Sequence, residues 1–353
     1  MSETQAIVMD TAHRICADLC DDKLFADAER GAWPQALWEA LWTAGLPLAA
    51  VPQAASGVGL DMYTAGSLVR LMGQYAAPVP FAETLVGGRL LGLSGVEVPE
   101  APLGFALLTG RDEFELASKD TANGVIHGVP FGRHVEYLLL AVAEDEAHYL
   151  VHCHEDGVTT ENAENAAGEA CDDLHLAAAP ITGIKAPVFW TVAYSRCLMA
   201  MFRALLMAGA GESILRLSLQ YARDRRQFGR PIADFQAIQH HLAVMATEVA
   251  AAVKATDMAL AAVEGSSLPF QAAVAKARVG EAAGRIAAIA HQVHGAIGFT
   301  HEYALHRYTR RLWCWRDEYG NEAYWQARIG RAALRSGADG LWSFVIRPDT
   351  ISV

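Results

Sequence analysis

At 353 residues the chain is long enough to bury a large core and to form two or three domains, on a prior of roughly 100–200 residues each. Apolar residues make up 52% and charged residues 19%, which excludes a disordered chain, and no run reaches the ~18 unbroken apolar residues of a membrane span. A net charge of −12 excludes a general nucleic-acid or anionic-membrane partner, because phosphate backbones reward a basic face; an anionic ligand would need a locally basic pocket.

The first ten residues lack the basic-then-apolar pattern of a secretory signal, so the expected setting is cytoplasmic. Six cysteines are scattered without a Cys-x-x-Cys pair, which argues against a disulfide framework or a zinc site. His152-Cys153-His154 puts two histidines on one face of a strand, but no further ligands stand nearby, and no metal is expected.

Residues 1–98 read as a helical domain of short periodic segments punctuated by glycine and proline. Trp33, Leu37, Leu41 and Trp42 recur at helical spacing, and Gly45 stops that helix. Ser56-Gly-Val-Gly-Leu60 follows no strand and lacks the spacing of a dinucleotide fingerprint, so it reads as a turn before the helix of Tyr63, Leu68, Val69 and Met72. Ala77-Pro-Val-Pro80 breaks that helix, and another starts at Phe81.

Residues 99–184 change texture. Runs of β-formers such as 135–142 and 148–153 read as strands, with tight turns expected at Asn123-Gly124 and Asp156-Gly157. The acidic, alanine-rich piece from Thr160 to Asp173 reads as an exposed connection.

Residues 185–353 return to long helices. Ile238, Leu242, Met245, Val249 and Val253 form one apolar stripe, which predicts a bundle helix. The alanine-rich stretch from Ala272 to His294 predicts a helix suited to close approach, either within a bundle or between subunits. Between two of these helices the chain turns at Gly229 and Pro231, and the junction carries Arg223, Arg225, Arg226 and Arg230. Arginine forks beside free helix-start N–H groups suit a phosphate, although charge runs more often are solvated or pair with neighbours such as Asp224 and Asp234.

Two motifs narrow this reading. Tyr221-Ala-x-x-Arg-x-Gln-Phe-Gly-x-Pro-Ile-x-x-Phe-Gln-x-Ile-Gln and Gln292-Val-His-Gly-Ala-Ile-Gly-Phe-Thr-His-Glu302, continuing into 305–311, resemble the acyl-CoA dehydrogenase family. Weaker resemblance reaches 38–59 and 124–142. The resemblance implies a mostly α fold with a central β-domain: an N-terminal helical domain (1–98), a β-barrel-like middle domain (99–184) and a C-terminal four-helix bundle (185–353) that pairs subunits. It implies FAD shared between subunits, an acyl-CoA substrate, a homo- or hetero-oligomer with a similar chain, and an electron-transfer protein as acceptor. By position, Arg225, Gln227 and Phe228 would meet the pyrophosphate and adenosine end of an FAD whose flavin sits on the neighbour. Gln292, Val293, His294, Gly295 and Ala296 would meet the same cofactor.

The chain also departs from the family. The position of the usual catalytic glutamate falls on Tyr319, before Gly320, and the alternative base position falls on Met199. An arginine usually beside the latter counts to Ala200, with Arg196 and Arg203 as displaced equivalents. Glu318 can act as the base only if the local backbone differs, through an irregularity near Trp315 to Gly320, since one residue turns a helical side chain by about 100°. The flavin-gripping segment of the middle domain is replaced by Phe105 to Phe114. This pattern resembles short chains that pair with a longer, catalytically complete chain in heteromers acting on steroid-type acyl-CoAs. Three readings stay open: a subunit whose base lies on a partner, a self-sufficient dehydrogenase using Glu318, and a non-catalytic scaffold of the same fold.

Overall fold

The computed structural model describes residues 3–143 and 146–346, and among these lie ten α-helices and a seven-stranded sheet. They form two compact units: one takes the chain up to Leu68 together with Pro78–Met199, the other takes Val69–Ala77 and the chain from Ala200 onward.

The first unit begins with α1 (Glu3–Leu19), α2 (Asp22–Ala28) and α3 (Gln35–Thr43). Asp21 starts α2 by accepting the Leu24 amide at 2.7 Å, which satisfies one of the donors that every helix start leaves open. Helix α3 buries Leu37, Trp38 and Leu41 and ends at Gly45, whose left-handed backbone (φ 69) serves as the expected stop. Helix α4 (Met62–Tyr75) begins in this unit and α5 (Phe81–Leu93) follows the proline break.

The sheet is built from β1 (Leu103–Leu107), β2 (Glu113–Leu116), β3 (Thr121–Pro130), β4 (Tyr137–Val142), β5 (Ala147–His152), β6 (Val158–Glu161) and β7 (Cys171–Ile184). Its order is β1-β4-β5-β7-β3-β2, with β6 also on β7; only β1 and β4 run parallel. The sheet curls, and Ile126, Leu138, Leu140, Val151, Leu174 and Ile181 fill one face as its core. Helix α5 is tied to the sheet by Thr84, whose hydroxyl accepts the Leu103 amide at 3.1 Å.

Two expectations fail here. Asn123-Gly124 makes no hairpin turn: it lies inside β3, at a register shift against β7. The glycine is needed for another reason, since a Cβ there would stand 1.9 Å from the Glu113 carbonyl oxygen on β2. The piece from Thr160 to Asp173 is only partly exposed: Asp172 is fully buried, and its carboxylate accepts from Arg133 (Nη2 2.6 Å), the Arg133 amide (2.7 Å) and the Ala163 amide (2.9 Å). Composition could not show that an arginine 39 positions earlier reaches in to pair this carboxylate.

The second unit contains most of α6 (Val192–Asp224), then α7 (Gln236–Ala261), α8 (Leu268–His294), α9 (Leu305–Asp317) and α10 (Glu322–Ile346). Among the described residues α6 alone is long and apolar enough to cross a membrane, and 89% of that stretch is buried inside the protein. The stripe predicted for α7 is real: Leu242, Met245 and Val249 are buried, and the stripe continues through Ala252, Thr256 and Ala259. Helix α8 packs on α7, α9 and α10.

The end of α4 packs on α6 through two glycines. A Cβ at Gly73 would stand 2.1 Å from the Leu206 carbonyl oxygen, and one at Gly209 would stand 2.0 Å from that of Arg70. Each glycine therefore faces the other helix's backbone, with Ser213 Oγ donating to the Gln74 carbonyl at 2.6 Å beside them. Gly209→Ala is expected to destabilise the protein by about 1–3 kcal/mol through overpacking. Gly330→Ala, on α10 where nothing lies within 4 Å of the new methyl, is expected to stabilise it by about 0.5–1 kcal/mol. Urea unfolding midpoints of the two variants check the contrast.

Candidate functional site

Helix α6 ends at Asp224 and α7 begins at Gln236; between them Arg226–Gln227 and Arg230–Pro231 pair as a minimal hairpin. Its tip needs positive φ at two successive residues, Phe228 (52) and Gly229 (82). Phe228 is consequently thrown outward and is 89% exposed. Arg225, Arg226, Gln227 and Arg230 are exposed as well, and the Arg230 guanidinium lies 4.2 Å from the Phe235 ring centroid.

The second motif lies against this hairpin. Tyr221, in the last turn of α6, stacks on His294 at the end of α8 (ring centroids 4.5 Å apart) and donates to the His294 carbonyl at 3.2 Å. Beneath the hairpin Ala222, Leu242 and Val293 form a small apolar cluster with Ile232 and Ile238. The motif thus splits in two. Val293 and His294 are packed inside, while Gln292, Gly295 and Ala296 are exposed beside the hairpin. Gly295 closes α8 in a conformation (φ 64, ψ −145) that side chains avoid, and a Cβ there would meet nothing within 4 Å, so the space above it is open. Burial holds His294 below the usual imidazole range; its Nδ1 bonds the Ala290 carbonyl at 2.8 Å and its Nε2 has no partner within the chain.

Such a donor set fits the pyrophosphate and adenosine end of FAD. Exposed guanidiniums and two glutamine amides suit phosphate oxygens, an exposed aromatic suits a purine or ribose face, and open backbone at Gly295 admits both.

Glu318 lies elsewhere. Helix α9 ends at Asp317, Glu318 is extended (φ −67, ψ 137), Tyr319 is left-handed (φ 55) and Gly320 has φ 99. The backbone therefore leaves the helix where Glu318 needs it to. The Glu318 carboxylate is ion-paired with Arg203 Nε from α6, whose side chain is only 4% exposed against 24% for Glu318. The Arg203 guanidinium also covers the Tyr319 ring, 5.2 Å from its centroid. Met199 and Ala200 are fully buried on α6.

Lys276, which went unnoticed in the sequence, reaches the same turn from α8. It is 1% exposed, and its ammonium donates to the carbonyls of Arg316 (2.6 Å) and Gly320 (2.8 Å). Trp325 Nε1 donates to the Gly320 carbonyl too, at 3.2 Å, and Arg316 pairs with Glu322. Burial pushes the Lys276 ammonium down to about 7; Glu318, Glu322 and Asp317 pull it up and Arg203 pushes it down. A lysine flanked by alanines in a long helix gives no sign of burial, so no sequence signal separates it from a surface charge.

The two groups of residues occupy opposite ends of α6 and α8. Arg203 and Lys276 lie near the starts of the two helices, Tyr221 and His294 near their ends, about 27 Å further along each helix axis at 1.5 Å per residue.

Against this geometry, the acyl-CoA dehydrogenase C-terminal domain family matches residues 189–334, which holds both groups. The helical part of the chain from residue 189 to 334 is thus similar to the C-terminal domain of acyl-CoA dehydrogenases. A chain of the ChsE4-ChsE5 complex from Mycobacterium tuberculosis shares the fold with a TM-score of 0.85 at 22% identity, over 96% of this chain and 99% of that one. Acyl-CoA dehydrogenase FadE27 of the same species is 26% identical over 301 residues, 77% of this chain and 81% of that protein. The 3-sulfinopropanoyl-CoA desulfinase of Paraburkholderia xenovorans is 41% identical over 109 residues, 30% of this chain and 28% of that protein. The chain spans only 28%, 34% and 39% of the length of three of the curated relatives it matches.

Within this acyl-CoA dehydrogenase fold the buried lysine makes a pH test possible. Its proton is bound less tightly in the folded chain than in the unfolded one, so between pH 7 and 10.5 the unfolded state holds more protons and stability rises with pH. Lys276→Met is expected to remove that rise. Urea midpoints of the parent and variant at pH 7 and pH 9.5 should show a gap that shifts in the parent's favour as pH increases.

Proposed function

We propose that the chain is a component of an FAD-dependent acyl-CoA dehydrogenase that introduces a double bond next to a thioester carbonyl. Its parts, 1–98, 99–184 and 185–353, take the roles of the N-terminal, middle and C-terminal domains of that family. In this reading Arg225, Gln227 and Phe228 with Gln292 to Ala296 hold the pyrophosphate and adenosine end of an FAD whose flavin lies on a neighbouring subunit. His294 and Val293 act from inside, by fixing the end of α8 on which Gln292, Gly295 and Ala296 are presented. The bound flavin supplies the hydride acceptor, and an electron-transfer protein reoxidises it.

The observation that carries this reading is the separation of the two groups along α6 and α8. The cofactor-holding hairpin and the Glu318 turn stand at opposite ends of the same helices, as expected if each end works with a different FAD in an oligomer. In this reading Glu318 takes the proton from the carbon beside the thioester carbonyl; its partial exposure and the extended backbone that carries it off α9 support the assignment.

The ion pair with Arg203 favours a second arrangement. The pair occupies the carboxylate that would have to accept the proton, so a heteromer in which a partner chain supplies the base accounts for both Tyr319 and the Arg203 pair. The FAD content of the purified chain, alone and co-expressed with a complementary dehydrogenase chain, tests the shared-cofactor reading. Arg225→Ala is expected to lower flavin occupancy of the assembly at least tenfold, and unchanged occupancy would sink the assignment of the hairpin. Glu318→Gln is expected to slow acyl-CoA-dependent bleaching of the flavin about 10²–10⁴-fold if this chain holds the base. Full retention in the co-expressed assembly would move the base to the partner.

A further inference from the structure

We propose that Lys276 is a positioning residue for Glu318, acting by holding the turn through Gly320 from inside the bundle. The inference rests on the reading of Glu318 as the proton acceptor.

A helix ends with carbonyls that have no intrahelical partner, and α9 ends where its next residues must leave the helix sharply. Tyr319 sits in a left-handed conformation that tyrosine does not choose on its own, so the surroundings must impose it. Two donors from different helices converge on the Gly320 carbonyl: Lys276 from α8 and Trp325 from the start of α10. The same ammonium holds the Arg316 carbonyl in the last turn of α9, so one group spans the departure from α9 and the far side of the turn. Glu318 and Tyr319 are the residues between those two fixed carbonyls that carry the side chains facing Arg203.

The clamp has little room to relax. A Cβ at Gly280, one helical turn beyond Lys276, would stand 2.8 Å from the Glu322 side chain, so α8 and the start of α10 are in close contact. Gly320 has φ 99, and a Cβ there would stand 2.7 Å from the Tyr324 ring and 2.9 Å from Trp325 Nε1. The turn is thus packed against α10 on one side and hydrogen-bonded to α8 on the other. Either form of the lysine can make both bonds, since the ammonium has three N–H groups and the amine two. The contact is therefore a fixed brace and not a titrating switch.

The experiment compares the parent, Lys276→Met and Lys276→Gln as FAD-loaded assemblies, with butyryl-CoA and a steroid-bearing acyl-CoA as probes. Limited proteolysis with a glutamate-specific protease reads the turn at Glu318, and stopped-flow flavin bleaching reads the chemistry. Lys276→Met is expected to speed cleavage after Glu318 about tenfold or more through local opening. It is also expected to slow bleaching about 10²-fold at saturating acyl-CoA with the half-saturating concentration unchanged, because a misplaced base loses rate before it loses binding. Lys276→Gln, whose amide can donate to both carbonyls, is expected to recover part of both. Unchanged cleavage after Glu318 in both variants overturns the proposal, as does a uniform rise in cleavage at every site. If Glu318→Gln bleaches at the parent's rate, the assignment of the base fails. The cleavage result then still decides whether Lys276 holds the turn.

Discussion

Helix α8 has to be buried on several sides at once, and most of the second unit follows from how it meets that constraint. It touches α7, α9 and α10, and a helix can do so at close range only if its side chains are small. Alanines and glycines make up 11 of its 27 residues. Where the small residues sit, little apolar area is gained per residue, so the polar side chains buried among them have outsized effects. Lys276 near one end and His294 at the other are two of them, and each organises a piece of irregular backbone that the helices alone would leave loose.

That arrangement gives the second unit two sites with different chemistry. One is exposed, basic and backbone-rich, built from a hairpin with two successive positive-φ residues. The other is enclosed, with a carboxylate, a guanidinium and an ammonium compensating one another around a single turn. Charge compensation of this kind is seldom a net source of stability, since desolvating three charged groups roughly offsets their attraction. Its value is geometric: partners from α6, α8 and α9 must all be in place before any one of them is satisfied.

Periodicity revealed those parts of the chain where one face decides the structure. The stripe of α7, the stop at Gly45 and the proline break before α5 follow from local patterns, and so do β4 and β5. What stayed hidden depends on contacts between distant positions. Asn123-Gly124 carries the signature of a hairpin, yet Gly124 is there because the backbone of β2 passes over it. Asp172 looked solvated within an acidic run and is the most enclosed carboxylate of the sheet, because Arg133 reaches it. Arg203 and Glu318 are 115 positions apart, and no spacing rule joins them. The hairpin at 225–231 could be read as a phosphate site because glycine, proline and arginine coincide there, whereas the split between inward and outward residues of 292–296 needed Tyr221 stacked on His294.

The glycine-lined contact between α4 and α6 bears on how the chain acquires its structure during synthesis. Helix α6 carries a stretch as apolar as a membrane span, and its covers on α7 and α8 lie further along the chain. The 37 residues from Asp224 to Ala261 take about 2–7 s to emerge at ~5–20 residues per second, and until they have done so α6 has no complete later helix to lean on. Residues 69–77 have already been made, and Gly73 and Gly209 let that segment lie directly on the α6 backbone. The surface of α6 that this segment covers is therefore one whose partner is available as soon as α6 itself is made, unlike the surfaces that wait for α7 and α8.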